Sequence, residues 1–141
     1  MKKQLLIATL AIGSMFFMDS CNKYEEGPGV SLRSRKERLA NNWYVSKAYD
    51  GDDDVTDSFD NFDVTFTKDG ATTLEATYTV FGADFQFSTS GTWSFEDNDE
   101  KLKVDYENDD ADNTYVILKL EEDELWLREE GSDLTLHLLP N

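Results

Sequence analysis

The chain has 141 residues, with 13 lysines and arginines against 30 aspartates and glutamates, for a formal net charge of -17. This length suits one domain of ordinary size. So large an acidic surplus repels phosphate backbones instead of neutralising them, which disfavours nucleic acid as a partner.

Lys2 and Lys3 precede an apolar run from Leu5 to Phe17, interrupted only by Thr9, Gly13 and Ser14. That is the order of a secretory signal peptide. The run is shorter than the roughly 20 apolar residues that span a bilayer. It ends at Met18-Asp19-Ser20-Cys21, where a small residue stands before the chain's single cysteine and a polar tail follows. This segment resembles a bacterial lipobox. The resemblance implies cleavage before Cys21 and acylation of its thiol, palmitate-type lipid being carried into the membrane. The alternative is an ordinary unpaired thiol. Acylation would also leave the mature chain without a disulfide, so its core alone must hold the fold. Stable anchoring needs more than one acyl chain, a condition that the multiply acylated N-terminus of such lipoproteins meets. Cleavage would remove two lysines and one aspartate, taking the net charge from -17 to -18.

Three regions follow: residues 1–20 as signal peptide, 21–31 as lipidated tether and 32–141 as the folded domain. Within the tether, Asn22-Lys23-Tyr24-Glu25-Glu26 resembles signals that send lipoproteins to the outer face of the outer membrane. The expected location is the outer membrane, on its periplasmic face or at the cell surface. Gly27, Pro28 and Gly29 mark a flexible linker.

From Ser31 to Asn42 the pattern is briefly helical. Ser34 and Glu37 have capping-box spacing, and Leu32 and Leu39 share a face. Arg33, Arg35, Lys36 and Arg38 gather there, read as a solvated face or as a patch for anionic headgroups.

Beyond Trp43 the hydrophobic period becomes 2. Trp43 to Tyr49 is the first expected strand. Phe62, Val64 and Phe66 alternate with polar neighbours, as do Leu74, Ala76, Tyr78 and Val80. Phe85, Phe87, Trp93 and Phe95 share a face that runs across Gly91. Leu102, Val104 and Tyr106 repeat the pattern, and Tyr115–Leu120, Glu124–Arg128 and Leu134–Leu138 bring the series to eight strands. Short turn signals such as Lys68-Asp69-Gly70 and Glu130-Gly131-Ser132-Asp133 separate them. Consecutive strands so joined pair as an antiparallel meander, which must close or hide its edges. The expectation is all-β: an eight-stranded antiparallel up-and-down barrel with a short N-terminal helix, a two-sheet sandwich being the alternative.

The segment Leu39-Ala40-Asn41-Asn42-Trp43-Tyr44-Val45 resembles the Leu-x-Gly-x-Trp start of lipocalin-like domains, with Asn41 at the glycine position as a residue that tolerates left-handed backbone. Gly91-Thr92-Trp93-Ser94-Phe95 and the strand number also resemble the small lipocalin-like lipoproteins of Gram-negative bacteria. That resemblance implies that Trp43 packs across the barrel floor and that ligands enter at the opposite end.

The meander sends fourteen acids to that opposite end, against nine at the helix end. Its longest loop, Asp50 to Asn61, is a candidate lid anchored by Phe59. Three readings of the mouth compete. Inward Phe62, Phe66, Tyr78, Phe87, Trp93 and Tyr106 line a cavity for a small apolar or amphipathic ligand, or else simply fill the core. The acidic loops meet a basic partner protein, such as a hydrolase held in check. Asp50, Asp52 and Asp54 offer hard oxygens to calcium, although their spacing lacks the glycine and glutamate of an EF-hand. No cofactor motif is present. The single histidine, His137, faces outward between Leu136 and Leu138, and no nucleophile and base can be paired, so a non-catalytic binding module is expected.

Overall fold

A computed structural model describes residues 33–141. The expected signal peptide, Cys21 and the expected tether lie outside the described residues.

Helix α1 spans Arg35–Leu39 and starts at the expected capping box. The Ser34 hydroxyl accepts from the Glu37 N–H at 3.2 Å, and the Ser34 N–H donates to the Glu37 carboxylate at 2.9 Å. Two donors that a helix start leaves bare are thereby satisfied. The helix face is less solvated than expected. Arg38 is buried and donates to the Leu120 carbonyl at 3.0 Å, while Arg35 meets Asp99 at 3.1 Å. These two cations tie the helix to the barrel.

The strands are β1 (Asn42–Asp50), the two-residue β2 (Asp53–Asp54), β3 (Phe62–Phe66), β4 (Ala71–Val80), β5 (Ala83–Glu96), β6 (Lys101–Tyr106), β7 (Asn113–Leu120), β8 (Leu125–Glu129) and β9 (Leu134–Pro140). Every neighbouring pair is antiparallel, and β1 pairs with β9 as well as β3. With β2 only folding back on the end of β1, the other eight strands close into a barrel. Closure removes the sandwich alternative. It follows from the period of 2: each strand has one apolar face, and curling the sheet buries these faces together wherever the barrel closes and leaves the barrel itself no open edge.

Trp43, Leu39, Leu102, Leu120, Leu125 and Leu138 are buried almost completely. The Trp43 indole N–H donates to the Leu39 carbonyl at 2.9 Å, so ring and helix close one end together. Asn41 needs no left-handed backbone. Its φ is not among the positive ones, and its side-chain oxygen accepts from the Asn42 N–H at 2.8 Å while its carbonyl takes the Phe66 N–H.

Two strands are too long for the barrel. Pairing of β3 with β4 stops at Phe62 and Ala76, and pairing of β5 with β6 stops at Gly91 and Tyr106, yet β4 and β5 pair with each other as far as Val80 and Ala83. Residues 77–88 therefore leave the barrel as a two-stranded ribbon, turned by Phe81 and Gly82 with φ of 51° and 79°. Positive φ at both central residues is the twist-compatible hairpin turn, in which asparagine or aspartate before glycine is the usual choice.

Candidate functional site at the barrel mouth

At the end opposite α1 lie the segment after β1, the ribbon, the β6–β7 connection and the β8–β9 turn. The segment after β1 is fastened down. The Val55 N–H donates to the Ala48 carbonyl at 2.9 Å, the Ala48 N–H donates to the Thr56 hydroxyl at 3.0 Å, and Phe59 packs edge-on against Phe62 with centroids 5.5 Å apart. Phe59 packs on the core, and these hydrogen bonds hold the segment against the end of β1.

Among the described residues, the cavity bordered by Phe62, Phe66, Leu74, Tyr106, Tyr115 and Leu136 among others measures about 30 Å3. That is room for a few waters at most, whereas sites for drug-sized ligands run to several hundred Å3. Two phenols border it. Tyr106 shares a 3.3 Å hydrogen bond with Thr72, and burial pushes the ionisation of both Tyr106 and Tyr115 upward, most strongly for Tyr115.

The six aromatic candidates divide three ways. Phe62, Phe66 and Tyr106 border the small cavity. Trp93 is a core residue, with its indole N–H on the Thr67 carbonyl at 2.8 Å and its ring edge-on to Phe66 and Phe95. Phe87 is half-buried against the core, and Tyr78 stands on the ribbon beyond the barrel, 49% exposed. Parity explains Tyr78. It keeps the inward side that Leu74 and Ala76 occupy, but the barrel wall opposite has ended.

The ribbon carries apolar residues that sequence reasoning did not select. Val80 is 47% exposed, Phe85 is 57% exposed, and Phe81 at the tip is fully exposed. Tyr78 faces Phe85 across the ribbon, one step beyond Ala76 and Phe87, so Tyr78, Val80, Phe85 and Phe87 share one face. The signal available for this was length: the alternation of β4 and β5 runs well past the ends of β3 and β6.

Around the ribbon the charge is one-signed. Residues 50–61, 77–88, 107–113 and 129–133 hold fourteen acids and no lysine or arginine. Among the described residues no three of His, Cys, Asp or Glu gather closely enough to hold a metal ion. Of the calcium candidates Asp50, Asp52 and Asp54, the last spends its carboxylate on the Thr56 hydroxyl at 2.6 Å and the Thr56 N–H at 3.0 Å. Those bonds lower its pKa.

His137 takes part in an outer-wall stack. Its ring lies on Trp126, Tyr49 meets it edge-on, and Lys119 lies over Trp126 with its ammonium 4.6 Å from the indole centroid.

A family model described as lipocalin-like domain matches residues 39–127. The chain belongs to that family. The match begins at Leu39, the residue whose carbonyl holds Trp43, and covers the barrel from α1 into β8. No curated protein matches the chain. Lipocalin-like barrels are in general binding modules for small ligands and not catalysts, and the fold here is of that kind.

Proposed function

We propose that this lipocalin-like protein is a membrane-anchored, non-catalytic binding module that takes a small apolar or amphipathic ligand at its mouth, beneath the β4–β5 ribbon. The observation that carries the reading is the row Tyr78, Val80 and Phe85, each about half exposed on the ribbon face that Phe87 continues down to the core. Soluble domains rarely hold large apolar side chains together in solvent without a use for them. A cavity of about 30 Å3 argues for the mouth over the depths of the barrel as the seat of the ligand.

The test is a titration of the mature chain with the neutral fluorophore N-phenyl-1-naphthylamine. Saturable binding, weakened about tenfold or more by Phe85→Ser together with Tyr78→Ser, is expected. Absence of saturable binding, or binding indifferent to both changes, overturns the reading.

The anchor rests on Cys21 and the signal-like run before it. Lipid there would hold the domain at the outer membrane, on its periplasmic face or at the cell surface. Cells fed labelled palmitate should label the wild-type chain and not Cys21→Ser; equal labelling of both removes the anchor.

A second reading draws on a separate observation, the fourteen acids and absent cations of the mouth loops. That pattern suits a basic partner protein, steered in by charge. Co-purification of a basic protein, lost at high salt, supports it.

A further inference from the structure

The ribbon leaves more than side chains in solvent. Past Gly91 and Tyr106, β5 has β4 on one side and, among the described residues, no strand on the other. Backbone direction along an antiparallel strand alternates residue by residue. The Ser90 carbonyl faces β6, where it accepts from the Glu107 N–H at 2.9 Å. Ser88, Gln86 and Asp84 share its parity, so their N–H and C=O groups face the same way, onto the open edge. The far side of the ribbon agrees: the Thr77 N–H donates outward to the Asn61 carbonyl at 3.2 Å, and Thr77 is the residue opposite Gln86. Thr77 and Gln86 thus turn their backbone groups away from each other.

Natural sheets blunt such edges with lysine, proline, bulges or extreme shortness. Here residues 83–88 read Ala-Asp-Phe-Gln-Phe-Ser, with neither lysine nor proline. The single acid, Asp84, accepts from the Thr79 hydroxyl at 2.6 Å. The edge is kept regular and presentable.

We infer that the open edge of β5 between Asp84 and Ser88 receives an extended segment of a basic partner protein by strand addition. This inference rests on the second reading above and names the place and mode of contact. Charge selects the occupant. Where the edge returns to the barrel, Ser88 and Thr89 border a shallow, open surface with Glu107, Asn108, Asp109 and Asp110. A lysine or arginine at the end of the added strand would meet those acids, and the apolar side chains of the same strand would lie beside Phe85 and Phe87. Main-chain hydrogen bonds give such a contact its strength, and alternate side chains give it selectivity. A second copy of this chain is a poor occupant, since it would bring another net charge of -17 to the same acids. The chain's own residues 22–31 carry one lysine against two glutamates, and so are poorly matched as well.

The experiment uses the mature chain and a labelled synthetic peptide that alternates valine with lysine, followed by fluorescence anisotropy. Binding is expected in the range below about 1 mM, with a Kd at least about tenfold weaker when alternate peptide nitrogens are methylated and when Gln86→Pro is made. Proline at residue 86 removes only an outward N–H and leaves the β4–β5 ladder intact. The methylated peptide gives the same information without touching the protein. Binding that survives both changes yet vanishes in the Glu107→Lys, Asp109→Lys, Asp110→Lys variant overturns strand addition and keeps the basic-partner reading. No binding of either peptide overturns both. A dimer of the free chain that Gln86→Pro dissolves in sedimentation overturns the choice of occupant and puts a second copy on the edge.

Discussion

The imidazole of His137 lies flat on the indole of Trp126, with ring centroids 4.0 Å apart and planes 2° from parallel. The pair joins β8 to β9 on the outer wall, and Trp126 pairs with His137 in the strand register as well. Burial holds the His137 pKa below its ordinary 6.5; Glu124 opposes the shift, and Lys47 and Lys119 add to it.

A folded-state pKa below the unfolded one means that the unfolded chain binds the proton first. The contribution of the neutral ring is therefore present above pH 6.5 and is lost as pH falls from there through the lower folded value. His137→Phe retains a stacked ring and cannot titrate. The difference in urea midpoint between neutral and mildly acidic buffer should be smaller in this variant than in the wild type. An unchanged difference would show that the fall in stability belongs to the carboxylates alone.

Gly91 should resist every substitution. A Cβ there would come 1.9 Å from the Asp105 carbonyl oxygen and 2.6 Å from the Tyr106 Cα, both backbone atoms that no rotamer change can move. Gly91→Ala forces β5 and β6 apart at the point where the ribbon leaves the barrel, and should cost about 3 kcal/mol, at the upper end for overpacking. Urea denaturation measures it, and a loss within error of zero would mean that the two strands are not so close.

Trp43→Phe tests the closed end. The change removes part of a fully buried ring and leaves the Leu39 carbonyl without its 2.9 Å donor. Cavity and lost hydrogen bond together should cost about 3 kcal/mol. The loss should appear in global unfolding, because the helix and the barrel floor share this residue.

Phe81→Asn should act in the opposite direction. Phe81 holds a φ of 51° while fully exposed, so its ring buries nothing to offset the backbone strain. Asparagine is the common residue at that turn position and should stabilise the ribbon by about 1 kcal/mol. Hydrogen exchange at Val80 and Ala83 would register slower opening. If the exposed tip serves binding, the same variant trades affinity for stability.

Much of the fold was legible in local pattern. Alternation at Phe62, Val64 and Phe66, or at Leu102, Val104 and Tyr106, marks a strand because side chains on a pleated backbone face opposite ways in turn. Ser34 and Glu37 mark the helix start because one turn brings their side chains to each other's backbone. The mouth was less legible. Tyr78 and Phe87 have the alternation of cavity residues, and alternation reports a strand's two faces without reporting whether another wall stands opposite. Phe85 and Phe81 were missed as site residues for the same reason. The burial of Arg38 is not legible in the sequence, because a charge is polar in any pattern and its burial depends on the Leu120 carbonyl, 82 residues away, being in reach.

The sequence by itself determined that strands form, where they turn and that their apolar faces must be shared, since these follow from side-chain period and from the backbone demands of glycine, asparagine and aspartate. Tertiary structure alone decided that the cavity closes to about 30 Å3 and that residues 77–88 project beyond the barrel. Both depend on which residues meet across the barrel and where each neighbouring strand ends, and those are relations between distant segments that no local period encodes.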